Sequence, residues 1–153
     1  MRVWRISRQE YAAFDGEGGN VTSGCWHHRG LRVIYTGGSL ALAALEFFVH
    51  LQPEISLTGF VAGSADIPDG FKIETLDMTT LPRQWRNLDH TETLRDAGTE
   101  WLRGRRSAVL AVPSAVIPVE TNYLLNPAHK DFKRIRINPP EPFEFDYRMW
   151  KPG

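Results

Sequence analysis

A single cysteine, Cys25, has no partner within the chain, so the fold is held by packing and not by a disulfide staple. Excess charge is equally absent, since 18 Lys and Arg residues balance 18 Asp and Glu residues. No strong field draws such a protein to nucleic acid or to an anionic membrane. The short basic clusters "RGRR" (103–106) and "FKRIR" (132–136) read as solvated faces or contacts to an acidic partner. The longest apolar run, 40–51, is too short to cross a bilayer, and "MRVWRISRQE" lacks the apolar core of a signal peptide. A cytoplasmic location is the expectation. Metal spacing is missing too: among five histidines, His27 and His28 are adjacent, while His50, His90 and His129 stand apart with no cysteine at ligand spacing. No bound metal is expected. "GEGGN" is not a dinucleotide-binding fingerprint, and Ser114 in "VPSAV" has no nucleophile elbow around it.

What is present suits one globular domain: 153 residues, 42% hydrophobic and 24% charged, can bury a real core. "RVWRIS" (2–7) predicts a first strand, followed by a short helix and a glycine-rich loop over 14–24. "LRVIYT" (31–36) predicts a second strand, and "ISLTGFVAG" (55–63) and "FKIETLD" (71–77) two more. "TETLRDAGTEWLRGR" (91–105) predicts an amphipathic helix with Leu94, Ala97, Trp101 and Leu102 inward. Residues 107–120 read as one buried strand interrupted by Pro113 and Pro118, and "FKRIRIN" (132–138) as a later strand. The tail over 139–153 reads as an edge strand or an extension. Strands and helices mix without regular βαβ alternation, which predicts an α+β fold on a mixed or antiparallel sheet.

"SLALAALEFFVH" (39–50) raises the chemical question. Ser39 caps a helix that follows the Gly37-Gly38 break and stops near 51, ahead of Pro53, with apolar side chains nearly all round. Glu46 is the one charge in it. An ionised carboxylate taken out of water costs several kcal/mol unless a partner or a ligand compensates. Solvent at a helix edge, or a pairing with Lys or Arg, would answer the question without any function.

A more specific answer comes from four segments together: "WRIS" with Arg5, "SGCWHHRG" with Cys25 and Trp26, "RVIY" with Tyr35, and "ALAALEFFVH" with Glu46. With "LPRQWR", "GTEWL" and "SAVLAVPSAVIPVETNYLLNPAH" (107–129), they resemble the RES-domain family, the toxin half of bacterial RES–Xre toxin–antitoxin pairs, from about Val3 to Asn138. The resemblance implies a fold similar to diphtheria-toxin-type ADP-ribosyltransferases and NAD as substrate. The nicotinamide bond would be broken by hydrolysis, phosphorolysis or ADP-ribosyl transfer. It implies that Arg5 and the position of Cys25 hold the dinucleotide, that Tyr35 faces the nicotinamide, that Glu46 is the catalytic carboxylate, and that Ser114 lines the pocket. Trp26 and Asn122 match in supporting places. It also implies an Xre-type antitoxin as partner and a homodimer as an option within the complex.

One departure stands out. The family pattern carries arginine before Trp26, where this chain has Cys25. A neutral thiol cannot make a bidentate contact to phosphate, so the resemblance leaves a weakened or inactive toxin, or a protein-binding module for the antitoxin, as alternatives. Cys25 and His27, two apart on an extended segment, share a face and leave a thiol enzyme as a third reading.

Overall fold

The computed structural model describes residues 1–52 and 56–150. Its strands are β1 (Arg2–Arg8), β2 (Ile34–Gly37), β3 (Phe60–Asp66), β4 (Ile73–Thr75), β5 (Val109–Pro113), β6 (Thr121–Leu125), β7 (Arg136–Ile137) and β8 (Glu141–Phe143). Among the described residues there are three α-helices: α1 (Glu17–Val21), α2 (Leu40–Phe48) and α3 (Thr91–Gly104). The sheet runs β4-β5-β6-β2-β1-β3-β7, with β8 also on β3. Among the described strands only β4 and β5 pair in parallel, so the fold is α+β on a mixed sheet.

β1 and β3 pair along the whole of both strands, from Arg2 opposite Asp66 to Arg8 opposite Phe60. β1 and β2 meet at one position, Trp4 opposite Gly37. Beyond it the two strands part, leaving backbone and side chains of β1 and β2 facing an opening in the middle of the sheet.

Local chemistry explains the helices. Ser39 Oγ accepts the Leu42 N–H at 3.1 Å and starts α2 as expected. Gly37 lets α2 lie close on β2, since a Cβ there would meet the Ala43 backbone nitrogen at 3.0 Å. α2 stops at Phe48, earlier than the apolar run suggests, because the His50 and Leu51 N–H groups bond back three residues to Phe47 and Phe48 and tighten the last turn. Its burial is one-sided as well: Leu42, Ala43 and Ala44 are buried, residues 45–48 are half-buried, and Ala41, Val49 and His50 are exposed. α3 ends with Arg105 in the left-handed region at φ 49°. It buries Leu94, Trp101 and Leu102 against Leu110, Val112 and Leu124 of β5 and β6.

Several elements differ from the sequence reading. The loop over 14–24 contains α1, and the short helix after β1 is a 3-10 turn, Gln9–Tyr11. Residues 107–120 end as a strand at Pro113, and the chain turns back into β6, a strand the apolar run concealed. "FKRIRIN" begins in a 3-10 turn, Lys130–Arg134, started by His129 Nδ1 accepting the Asp131 N–H, with only Arg136–Ile137 as strand. Pro53 and the start of the strand expected from 55, like residues 151–153, lie outside the described residues.

α3 clamps the segment 24–28 at three points. Arg95 Nε donates to the Gly24 carbonyl at 2.9 Å, and Thr99 Oγ1 accepts the His28 N–H at 3.0 Å. His28 Nε2 lies 2.7 Å from Asp96. Between these, Gly98 faces Trp26 so closely that a Cβ would lie 1.7 Å from the Trp26 carbonyl oxygen. Alanine is worth about 1 kcal/mol more than glycine inside a helix. Here the clash is with backbone, which cannot rotate away, so Gly98→Ala will destabilise the protein by a net 1–3 kcal/mol or so. A lower urea midpoint at unchanged slope checks this.

Candidate active site

The parted strands open into a cleft of about 890 Å³. β1 contributes Arg5 and Arg8, β2 contributes Tyr35, α2 contributes Glu46 and the turn after it His50, β6 contributes Asn122, and Cys25 lies on the wall. Arg5 and Tyr35 also line a smaller adjoining chamber of about 230 Å³ with Gly16, Gly19 and His27.

Glu46 is half-buried and faces this cleft. Its Oε1 accepts two hydrogen bonds, from Ser114 Oγ at 2.5 Å and from Asn122 Nδ2 at 2.7 Å. Ser114 is completely buried at the end of β5, and its Oγ accepts the N–H groups of Val116 and Ile117 at 3.1 and 3.0 Å. The one hydroxyl hydrogen is thereby committed to Glu46. Ser114 thus stands behind the carboxylate, and the cleft wall beside it is formed by Asn122. Glu46 Oε2 takes no hydrogen bond from any described residue, and Asn122 Oδ1 is buried without a donor. One pinned oxygen, one free oxygen and an orphaned acceptor suit a ligand that brings hydroxyl or amide donors.

Arg5 Nη1 donates to the carbonyls of Tyr11 and Ala13 at 2.9 and 3.3 Å, and its guanidinium lies 5.8 Å from the Phe14 ring centre. Burial lowers its pKa and the Asp15 carboxylate opposes that, but a guanidinium stays protonated at any physiological pH. Its Nε and Nη2 groups make no bond to a described residue. Arg8 escaped the sequence reading. Its guanidinium lies 5.2 Å from the Phe60 ring centre, and no carboxylate among the described residues pairs with it.

Tyr35 is fixed through its hydroxyl, which accepts the Trp26 N–H at 3.0 Å and lies 2.7 Å from His27 Nδ1. Burial raises its pKa strongly, so it is a neutral phenol. Cys25 is exposed on the cleft wall, where desolvation by the walls and the negative charge of Glu46 raise its thiol pKa, against the pull of Arg95. It is protonated at neutral pH. His27 turns its ring to Tyr35 and to the Gly19 carbonyl, so no thiol–imidazole pair forms and the thiol-enzyme reading loses its base.

An α+β domain whose parted sheet holds a hydrogen-bonded glutamate in a cleft is the class these features define. The RES domain model matches residues 2–146, and the chain belongs to the RES domain family. It is 38% identical over 152 residues to Toxin Res of Yersinia enterocolitica, covering 97% of this chain and 99% of that one. It is 38% identical over 136 residues to Toxin Res of Photorhabdus laumondii, covering 88% and 86%. A Sphingobium relative named Prs ADP-ribosylating toxin is 34% identical over 153 residues, covering 95% and 94%. The fold is also similar to a chain of the M. tuberculosis MbcT–MbcA toxin–antitoxin complex, with a TM-score of 0.69 at 13% identity over 94% of this chain and 84% of that one. Among the described residues, no helix is long and apolar enough to cross a membrane.

Proposed function

We propose that this chain is the toxin of a toxin–antitoxin pair and that its cleft breaks the bond between nicotinamide and ribose in NAD. The observation that carries the reading is Glu46, held by Ser114 and Asn122 through one oxygen and free at the other, facing a cleft large enough for a dinucleotide.

As the C1′–N bond breaks, its electron pair leaves with the nicotinamide, which becomes neutral, and positive charge gathers on the ribose, as in glycoside hydrolysis. A fixed carboxylate beside that sugar strengthens its interaction as the charge grows, which is the differential stabilisation that lowers a barrier. Ribose hydroxyls would bring donors for Glu46 Oε2 and the orphaned Asn122 Oδ1. Tyr35, neutral and fixed, offers its face to the cationic nicotinamide ring, a contact worth about 0.5–2 kcal/mol. Arg5 and the unpaired Arg8 are the cations on this wall for the pyrophosphate, with Cys25 supplying none. Water, phosphate or a protein side chain then adds to C1′ and gives up its proton. The name of the Sphingobium relative supports transfer of ADP-ribose among these outcomes.

The partner we infer is an Xre-type antitoxin that covers the cleft, where exposed Tyr11 and Val21 line the rim. A homodimer within that complex is part of the same proposal, as is action in the cytoplasm. Cys25 favours a second reading, a protein-binding module that has lost catalysis. Incubation of the protein with NAD separates the two: the enzyme reading expects nicotinamide to appear, and the binding-module reading expects none.

A further inference from the structure

We propose that His27 is a positioning residue that, in its neutral form, ties the glycine-rich wall of the cleft to Tyr35, and that its protonation loosens this tie. The activity arm of this proposal rests on the NAD reading above; the stability arm does not.

The hydrogen-bond pattern leaves one arrangement. His27 is 2% exposed, so both ring nitrogens need partners within the protein. The Tyr35 hydroxyl already accepts the Trp26 N–H at 3.0 Å, and its own hydrogen points to His27 Nδ1, 2.7 Å away. The Gly24 N–H, which bonds the His27 carbonyl at 3.1 Å, also lies 3.2 Å from the same nitrogen. Nδ1 is therefore an acceptor, and the ring proton sits on Nε2, 3.2 Å from the Gly19 carbonyl. Gly19 belongs to α1 and Gly24 follows it, so one imidazole joins α1, the segment leading to Cys25, and Tyr35.

The packing has no slack in which to find another pattern. A Cβ on Gly24 would lie 2.4 Å from the Tyr35 hydroxyl oxygen, and one on Gly19 would lie 3.1 Å from His27 Nε2. A proton added to Nδ1 would face two donors, the Tyr35 O–H and the Gly24 N–H. The contact with Gly24 is lost, leaving its N–H only the His27 carbonyl at 3.1 Å, and the Tyr35 hydroxyl must turn from donor to acceptor, which loosens the anchor shared by the tyrosine and the glycine-rich wall.

The charged and titratable groups that share its chamber are Tyr35 from β2, Arg5 from β1, and Asp15 and Glu17 around the start of α1, while Arg95 from α3 and the adjacent His28 also act on the ring. Burial lowers the His27 pKa below its ordinary value of 6.5, and Arg95 and His28 act in the same direction, while the backbone bonds to Gly19 and Thr22 oppose them. The sign follows. The unfolded chain binds the proton first, so stability is full above the ordinary histidine value and declines as pH falls below it. In the folded protein the ring itself takes up the proton, and the anchor loosens, at a lower pH still.

Two variants test this. His27→Asn places an amide oxygen near the Nδ1 position, keeping an acceptor for Tyr35, and cannot be protonated. His27→Gln places its amide near Nε2, keeping the bond to Gly19 and losing that to Tyr35. Turnover of NAD between about pH 5 and 8 should show an acid limb in the wild type that His27→Asn lacks. His27→Gln should lose about tenfold in kcat at all pH values, with His27→Asn recovering most of that loss. Melting temperature over the same range, read without NAD, should fall with acid more steeply in the wild type than in either variant. An acid limb retained in His27→Asn, or kcat in His27→Gln matching the wild type, would overturn the proposal. If the wild type turns over no NAD, the NAD reading fails, and melting alone decides: equal pH slopes in all three proteins would overturn the role of His27.

Discussion

Glutamine in place of Glu46 will lower nicotinamide release by about 10²–10³-fold, the usual cost of removing one preorganised electrostatic contact to a transition state. The substitution keeps an acceptor oxygen for Ser114 Oγ and Asn122 Nδ2, which hold the side chain at 2.5 and 2.7 Å, so the fold should not suffer. What it removes is the negative charge beside the ribose. Nicotinamide measured at saturating NAD, with the melting temperature as a control, checks it. A fall in kcat without a matching rise in KM is the expected signature, because the charge matters chiefly as the sugar becomes cationic. Ser114→Ala and Asn122→Ala should each cost less than Glu46→Gln, since they loosen the carboxylate without removing it.

The second large effect runs the other way. Cys25→Arg should raise NAD turnover by about 10- to 150-fold, the equivalent of the 1.5–3 kcal/mol that a hydrogen bond to a charged group contributes. Cys25 lies exposed on the cleft wall, so a longer side chain has room to extend, and a guanidinium adds the paired donors that a phosphate accepts. Cys25→Ser separates loss of the thiol from gain of charge and should remain far below the arginine variant. In cells lacking an antitoxin, the arginine variant should deplete NAD and stop growth at expression levels that the Cys25 protein allows. Equal turnover in the two proteins would mean that Arg5 and Arg8 already meet the need for cations, and Cys25 would then not weaken this site.

Much of the fold was legible where local chemistry decides structure. β1, the Ser39 cap of α2 and the apolar stripe of α3 each follow from a periodicity or a capping residue within a few positions. β6 was hidden because the turn after Pro113 interrupts an apolar run without any Asn-Gly or Asp-Gly signal. α1 was hidden because two of its five residues are glycine, which argues against a helix, and it stands because tertiary contacts such as that of Gly19 with Leu31 leave room for nothing larger.

The site divides in the same way. Arg5, Cys25, Tyr35 and Glu46, named from a family resemblance, line one cleft, while Ser114 lies behind the carboxylate it was expected to accompany in the pocket. Arg8 could not be distinguished from a surface arginine until β1 and β2 were seen to part. His27 read as half of an adjacent histidine pair, because its partners, the Tyr35 hydroxyl and the Gly19 carbonyl, are brought to it only by the folded loop.

The most direct test joins the two large effects in one protein. Nicotinamide release should be compared between the Cys25→Arg variant and the double variant Cys25→Arg with Glu46→Gln, at saturating NAD. The double variant is expected to lose nearly all the turnover that the arginine confers, because the added cation binds phosphate while Glu46 alone answers the charge on the sugar. Turnover in the double variant equal to that of the Cys25→Arg protein would contradict the account.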